Sequence, residues 1–327
     1  MSFKFIKKAS VIIPLYNPDI SFLFKNLKSL VKNENKYIKE IILVDDGSRI
    51  PVKSVLGRLG KISPKLKIIR QKNRGAGAAR NTGVRISKSD IVAFLDWDCS
   101  PDRKWLQNII KPIVQNRAVG VGGKILTKKE NNIFSEFSDF RRALREPIKD
   151  KSGNIIIIIT ANAAFSKEIF DKVGGFDPKF KKAGGEDLDL TYKLIRAGYL
   201  DKLVYQADAV VKHKHRSNLV SFLKQQFNYG FWDMFHFLYR KRSPLVMGVY
   251  FPTLGNIFRQ IRDNFYFSIG LIKIAPYSYG LLKKFVIFPL IEFVRRFAVM
   301  LGGIKCYYFY APKVLGKSTL GEKTINN

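Results

Sequence analysis

Two hydrophobic periods alternate along the N-terminal part of the chain. Continuous apolar runs at Ser10–Leu15, Ile41–Val44, Leu66–Ile69 and Ile91–Leu95 have the length and β-branched content of buried strands. Between them, Ile20, Leu23, Phe24, Leu27 and Val31 fall on one helical face, and Trp105, Ile109 and Ile113 do so behind a Pro101-Asp102 start. Strand and helix in alternation predict an α/β fold with a mainly parallel sheet and crossover helices. Ligands bind such sheets at the carboxyl ends of the strands, which sets Tyr16-Asn17, Asp45-Asp46 and Asp96-Trp97-Asp98 on one rim. Residues 124–150 are irregular and charged and read as a connection, and the five isoleucines Ile155–Ile159 as a further buried strand. Gly184-Gly185-Glu186-Asp187 opens a helix that Gly198 ends.

After His215 the pattern changes to aromatics interleaved with basic residues and apolar segments split by Gly and Pro. The chain therefore divides into residues 1–215, a catalytic domain, and 216–327, a mostly helical, basic and aromatic-rich region. Charge sharpens this division. Lys and Arg outnumber Asp and Glu by 58 to 26, and from Lys212 onward by 18 to 4. Such an excess suits an anionic partner. The basic clusters Arg240-Lys241-Arg242, Lys283-Lys284 and Arg295-Arg296, with Leu245–Phe251, Phe285–Ile291 and Phe297–Ile304 around them, predict helices on an anionic, cytoplasm-facing membrane surface. No uncharged apolar stretch reaches a bilayer-spanning length. Lys4, Lys7 and Lys8 precede an apolar run as in a signal peptide, but Pro14 and Asn17-Pro18 break it, so it reads as the first strand. The two cysteines, Cys99 and Cys306, predict no disulfide framework.

Several constellations carry chemistry. Val44-Asp45-Asp46-Gly47-Ser48 puts carboxylates at a strand end, where they accept from ribose hydroxyls or a base, or merely cap a turn. Asn73 to Gly83 places a glycine-rich turn before a helix bearing Arg80, suited to a diphosphate or to tight packing. Its Gly75-x-Gly77 is not a dinucleotide fingerprint, because Arg80 stands at the third glycine. Asp96 and Asp98 end a strand two residues apart, a donor set for Mg²⁺ or Mn²⁺ beside phosphates. Three acids in four residues, Glu186, Asp187 and Asp189, exceed what a helix cap needs and offer a general base. His213-x-His215 offers a metal ligand from a distant segment. A nucleic-acid surface gains nothing from acids gathered on one rim, and a sugar-nucleotide nucleotidyltransferase would follow strand one with glycines and a basic residue, not Pro14-Leu15-Tyr16-Asn17.

In this order the motifs resemble family 2 glycosyltransferases of the GT-A fold, over residues 8 to 215. The resemblance implies a nucleotide-diphosphate sugar donor, a Mg²⁺ or Mn²⁺ ion and inversion at the anomeric carbon; together with the membrane-facing C-terminal region, a glycan or lipid-linked acceptor in cell-surface glycan synthesis is expected, its identity left open. It implies Pro14, Tyr16, Asp45 and Asp46 at the base and ribose, Arg80 near the diphosphate and Asp96 near the ribose. It also implies Asp98 with His213 on the metal, and Asp187, beside Glu186, as the base. The Gln-x-x-Arg-Trp signature of processive members is absent after the catalytic acids, which predicts addition of a single sugar.

Overall fold

The computed structural model describes residues 7–58, 62–128, 132–143, 147–150, 152–181, 184–240, 254–274 and 280–315. The chain forms two compact units, Met1–Glu130 with Arg142–His215, and Asn131–Arg141 with Arg216–Asn327.

The first unit is built on an eight-stranded sheet. Its strands are β1 (Ala9–Leu15), β2 (Ile38–Asp45), β3 (Leu66–Arg70), β4 (Ile91–Leu95), β5 (Cys99–Pro101), β6 (Gly120–Thr127), β7 (Asn162–Ser166) and β8 (Leu203–His213). They lie in the order β3-β2-β1-β4-β7-β6-β8-β5. The four apolar runs that open the chain form β1 to β4, mutually parallel, with Leu15 opposite Asp45. Helices cover both faces, so β1 and β4 are buried at every position. Ile13, Leu43 and Leu95 face α1 (Ile20–Glu34) and α4 (Trp105–Val114), where Leu23, Leu27 and Trp105 pack. Ile12, Ile42 and Phe94 face the other side, towards Phe170, Leu190 and Leu194 of α6 (Lys167–Lys172) and α7 (Glu186–Arg196) and Ala79 and Val84 of α3 (Ala76–Ile86). The remaining helix of this unit is α2 (Val52–Arg58).

Beyond β4 the sheet is mixed: β7 runs antiparallel to both β4 and β6, and β5 antiparallel to β8. Ile155–Ile159 is not the expected strand. Apart from a single bridge between Lys149 and Ile155 it is irregular, although Ile155, Ile156 and Ile158 are buried. The strand begins instead at Asn162, whose side chain accepts from Trp105 Nε1 (2.8 Å) and donates to the carbonyls of Lys124 and Ala209 (2.9 and 2.8 Å). The stretch expected to be an irregular connection contains the end of β6 and α5 (Ile133–Ala143).

The second unit is helical: α5, α8 (Leu219–Tyr239), α9 (Leu254–Ile274) and a run over 281–315 that holds α10 (Phe288–Lys305) and α11 (Ala311–Leu315), with π-helical turns at Lys283–Ile287 and Cys306–Tyr310. Phe137, Phe140, Phe222 and Phe288 form its aromatic core. The backbones of α8 and α10 meet at Gly230 and Gly302, where an added Cβ would strike Val299 and Phe227 carbonyl oxygens. Glu292 is fully buried and bonded by Arg141 (3.0 Å), Arg295 (2.8 Å) and Arg296 (2.7 Å). Burial alone would raise its pKa, but Arg295, Arg141 and Arg296 bring it down to about 2. The expected lipid-facing pair Arg295-Arg296 therefore serves this inner anion, Lys284 is buried and Lys283 pairs with Glu136. Lys241, Arg242 and Leu245–Phe251 lie outside the described residues. Leu282, Val286, Leu290, Phe297, Leu301 and Tyr308 are exposed at helical spacing along the terminal run. Among the described residues no helix is long and apolar enough to cross a membrane.

Candidate active site

Because β1, β2 and β4 are parallel, their carboxyl ends deliver Tyr16, Asp45 and Asp46, and Asp96 to one rim. Pro14 and Leu15 close the buried length of β1, and Tyr16, just past it, is 52% exposed. Asp45 is turned inward: it accepts from Ser48 N (2.9 Å), from Val52 N (3.2 Å) and from Arg70 (2.9 Å). Asp46, also buried, accepts from Gln71 Nε2 (2.7 Å), Arg74 N (2.9 Å) and Gly75 N (2.8 Å). Both carboxylates thus shape the turns that follow β2 and β3. Gly75 has φ 93°, and a Cβ there would lie 2.5 Å from the Lys181 carbonyl oxygen, so this turn admits only glycine without strain. Asn81 clamps the Phe176 backbone from both sides, donating to its carbonyl (2.7 Å) and accepting from its N–H (2.9 Å). This joins the two glycine-bearing motifs around α3 and residues 173–177.

Arg80 is the electrostatic centre. It is 3% exposed, donates from Nη2 to Asp96 (2.6 Å), holds Nη1 3.6 Å from Glu186, and has its guanidinium 5.5 Å from the Phe176 ring. Burial disfavours its charge, but Asp96, Asp187 and Glu186 outweigh that and raise its pKa, so it stays a cation. Its Nε and Nη1 have no hydrogen-bond partner. Glu186 and Asp187 open α7 behind Gly185 (φ 83°). Glu186 accepts from Gly184 N (2.6 Å), and Asp187 accepts from both the backbone N–H (3.1 Å) and the hydroxyl of Thr160. Burial lifts the pKa of both acids, the Asp187 charge lifts that of Glu186 further and the Asp96 charge that of Asp187, while Arg80 opposes the rise. The Asp96 N–H donates to Ala161 O (3.3 Å), so the residue beside Thr160 also touches Asp96.

Asp98 stands 3.3 Å from His213 Nε2, and the His213 and His215 rings are 4.6 Å apart. The buried Nδ1 of His213 has no hydrogen-bond partner. Asp98, Cys99 and His213 each offer one donor atom, all within 4.8 Å of one another. An oxygen, a nitrogen and a sulfur donor this close fit a divalent cation. Thr160 and Cys99 escape a sequence reading, one at the end of an isoleucine run and the other an isolated cysteine.

A family model described as glycosyl transferase family 2 matches residues 10–174, half of the chain. The chain belongs to this family. It is a glycosyltransferase. A second model, described as the N-terminal domain of galactosyltransferase, matches residues 155–216 of the family 2 chain. It is 30% identical over 229 residues to glycosyltransferase AglE of Haloferax volcanii, covering 68% of this chain and 71% of that protein. It is 31% identical over 234 residues to a pre-mycofactocin glycosyltransferase of Mycobacterium tuberculosis, with 68% of this chain matching 46% of that longer protein. Its fold is similar to that of the mannosyltransferase PcManGT of Pyrobaculum calidifontis, solved in complex with GDP-Man and Mn²⁺, with a TM-score of 0.61 at 17% identity over 93% of this chain and 88% of that one.

Proposed function

We propose that this glycosyltransferase moves a single sugar from a nucleotide-diphosphate sugar to an acceptor hydroxyl with inversion, and that its acceptor is a glycan or lipid-linked molecule at an anionic, cytoplasm-facing membrane. The observation that carries the chemistry is the Arg80 hub, which joins Asp96, past β4, to Glu186 and Asp187 at the start of α7. It brings the acids of a donor side and of an acceptor side within a few ångströms of one cation. The nucleotide-sugar complex of the mannosyltransferase of similar fold supports the donor class.

In this reading Tyr16 and Pro14 flank the base, and Asp45 and Asp46 act by holding the donor-side turns. Asp96 reaches the ribose. Asp98 and His213 would hold a Mg²⁺ or Mn²⁺ ion, which when bound neutralises charge on the leaving diphosphate. Asp187 accepts the proton of the acceptor hydroxyl as that oxygen attacks the anomeric carbon opposite the diphosphate; one displacement inverts the centre. Thr160 fixes the carboxylate's orientation, and Arg80 keeps the surrounding acids in place without itself leaving the protein interior. General base action contributes about 10² to 10⁴-fold. The exposed apolar line on the terminal helical run supports the membrane acceptor.

Incubation with a panel of nucleotide sugars, Mn²⁺ and membrane extract tests this. Transfer with the opposite anomeric configuration in the product is expected, and Asp187→Asn should lower kcat at least 100-fold with donor affinity little changed. Collapse of donor binding with kcat preserved would make Asp187 a binding residue, and retained anomeric configuration would remove the single-displacement mechanism.

A further inference from the structure

We propose that Cys99 is a third protein ligand of the cation held by Asp98 and His213, giving a mixed oxygen, nitrogen and sulfur site that favours thiophilic ions. The proposal rests on the reading that those two residues hold the donor's cation.

The placement follows from strand pairing. Cys99 and His213 are direct partners across the antiparallel β5–β8 pair, so their side chains leave the sheet on the same side. The backbone on either side is pinned. Asn26 donates to the Cys99 carbonyl (3.3 Å) and accepts from Ser100 Oγ (2.9 Å), and Lys214 N donates to the Asp98 carbonyl (2.9 Å). The thiol sulfur, a carboxylate oxygen of Asp98 and an imidazole nitrogen of His213 fall within 4.8 Å of one another. Ligands of one ion sit about 2.0 to 2.3 Å from it, so the three donors need to close by only about an ångström, within the range of a small side-chain rotation. His213 brings a buried nitrogen with no hydrogen-bond partner, a cost that coordination of the ring removes once its proton is placed on the other nitrogen. Cys99 also packs in the core beside Leu23 and Leu95 at 1% exposure. A thiol serves both roles, because its sulfur tolerates apolar neighbours and still binds soft ions as the thiolate, releasing its proton to water.

Sulfur adds affinity for Cd²⁺, Zn²⁺ and Co²⁺ and contributes little to Mg²⁺. Titration of the full chain with Co²⁺ should therefore produce the near-ultraviolet charge-transfer absorption of a thiolate–cobalt bond. Cys99→Ser should abolish that band, and Cys306→Ser should retain it. Cys99→Ser should also weaken Cd²⁺ binding roughly tenfold or more while Mg²⁺ affinity changes little. Melting and near-ultraviolet circular dichroism without metal, measured on Cys99→Ser and Cys99→Ala, separate ligand loss from misfolding. Co²⁺ binding without the sulfur band, or with unchanged Cd²⁺ affinity in a folded Cys99→Ser protein, overturns the third ligand and leaves the Asp98–His213 reading standing. No binding of Co²⁺, Cd²⁺ or Mg²⁺ by the wild-type chain, even with a nucleoside diphosphate added, overturns both.

Discussion

Thr160 gives two hydrogen bonds to one carboxylate, and the second carries a consequence for rate. The hydroxyl bond to Asp187 favours the ionised form, working against the burial that raises its pKa. Thr160→Val keeps the shape and the backbone bond but removes the hydroxyl. It should lower kcat by about tenfold, in keeping with a charged hydrogen bond of about 1.5 kcal/mol, with a smaller change in donor KM. The acidic limb of the kcat–pH profile should move to higher pH, because the Asp187 pKa rises further. A pH profile that stays in place while activity falls would mean Thr160 only packs. At this scale Asp96, Asp98, Glu186 and Asp187 stand out in the sequence because acids gathered two and three together exceed what a turn or a helix cap needs. Thr160 does not, since a threonine closing an apolar run has no signature until the fold sets it beside α7. Arg80 was visible as a charge, but its inward aim at Asp96 depends on Phe176 and Glu186, about a hundred residues away.

The start of α4 is finished by a helix that precedes it in sequence. Its N-cap Lys104 makes no side-chain cap, and Glu34, in the last turn of α1, accepts from Gln107 N instead (3.3 Å). Glu34 is 1% exposed, and burial pushes its pKa up to about 7, against the pull of the Gln107 and Leu106 N–H groups. A folded-state pKa above the unfolded value near 4.5 means the folded chain holds the proton longer. Stability from this group is therefore complete below about pH 4.5 and falls as pH rises to about 7. Glu34→Gln should melt within a degree or so of wild type at pH 5 and about 2–4 °C higher at pH 8. An equal change at both pH values would remove the titration argument. Elements that obey one period, β1 to β4 and α1, were legible from hydrophobic spacing alone. β7 was not: Asn162-Ala163-Ala164-Phe165-Ser166 is small and polar, and it becomes a strand because β4 and β6 pair with it on either side. Three of the five isoleucines beside it, Ile155, Ile156 and Ile158, are buried with only the single Lys149–Ile155 bridge, the ambiguity that short apolar runs always carry.

For the whole molecule, the balance between charge and apolar surface decides how a membrane would be met. The sequence showed the basic excess of the C-terminal region, but not that Arg295 and Arg296 spend it on Glu292. What faces outward is the line of Leu282, Val286, Leu290, Phe297, Leu301 and Tyr308. Within α10 the spacing of seven and four residues keeps Leu290, Phe297 and Leu301 on one side, while Leu282, Val286 and Tyr308 stand at the flanking π-helical turns. Flotation with vesicles of anionic lipid should carry the full chain upward, and Leu290→Glu with Leu301→Glu should reduce the bound fraction at least tenfold, as the loss of two buried leucines implies. Molar salt should have the smaller effect. Release by salt alone, with the double variant still bound, would return the interaction to the remaining lysines.

The antiparallel insertion of β7 has a consequence for how the chain is made. β4 emerges from the ribosome long before its partner β7, and β6 waits for both β7 and β8. Until Leu203–His213 is synthesised, β6 keeps one open edge, with glycines at 120, 122 and 123 and no proline to discourage strangers. His213 is the last residue of the last strand, so the Asp98, Cys99 and His213 cluster assembles in the same event that pairs β6 with β8. A nascent chain thus presents an open strand edge while its active site is still incomplete, and no ligand of the finished site can protect it there.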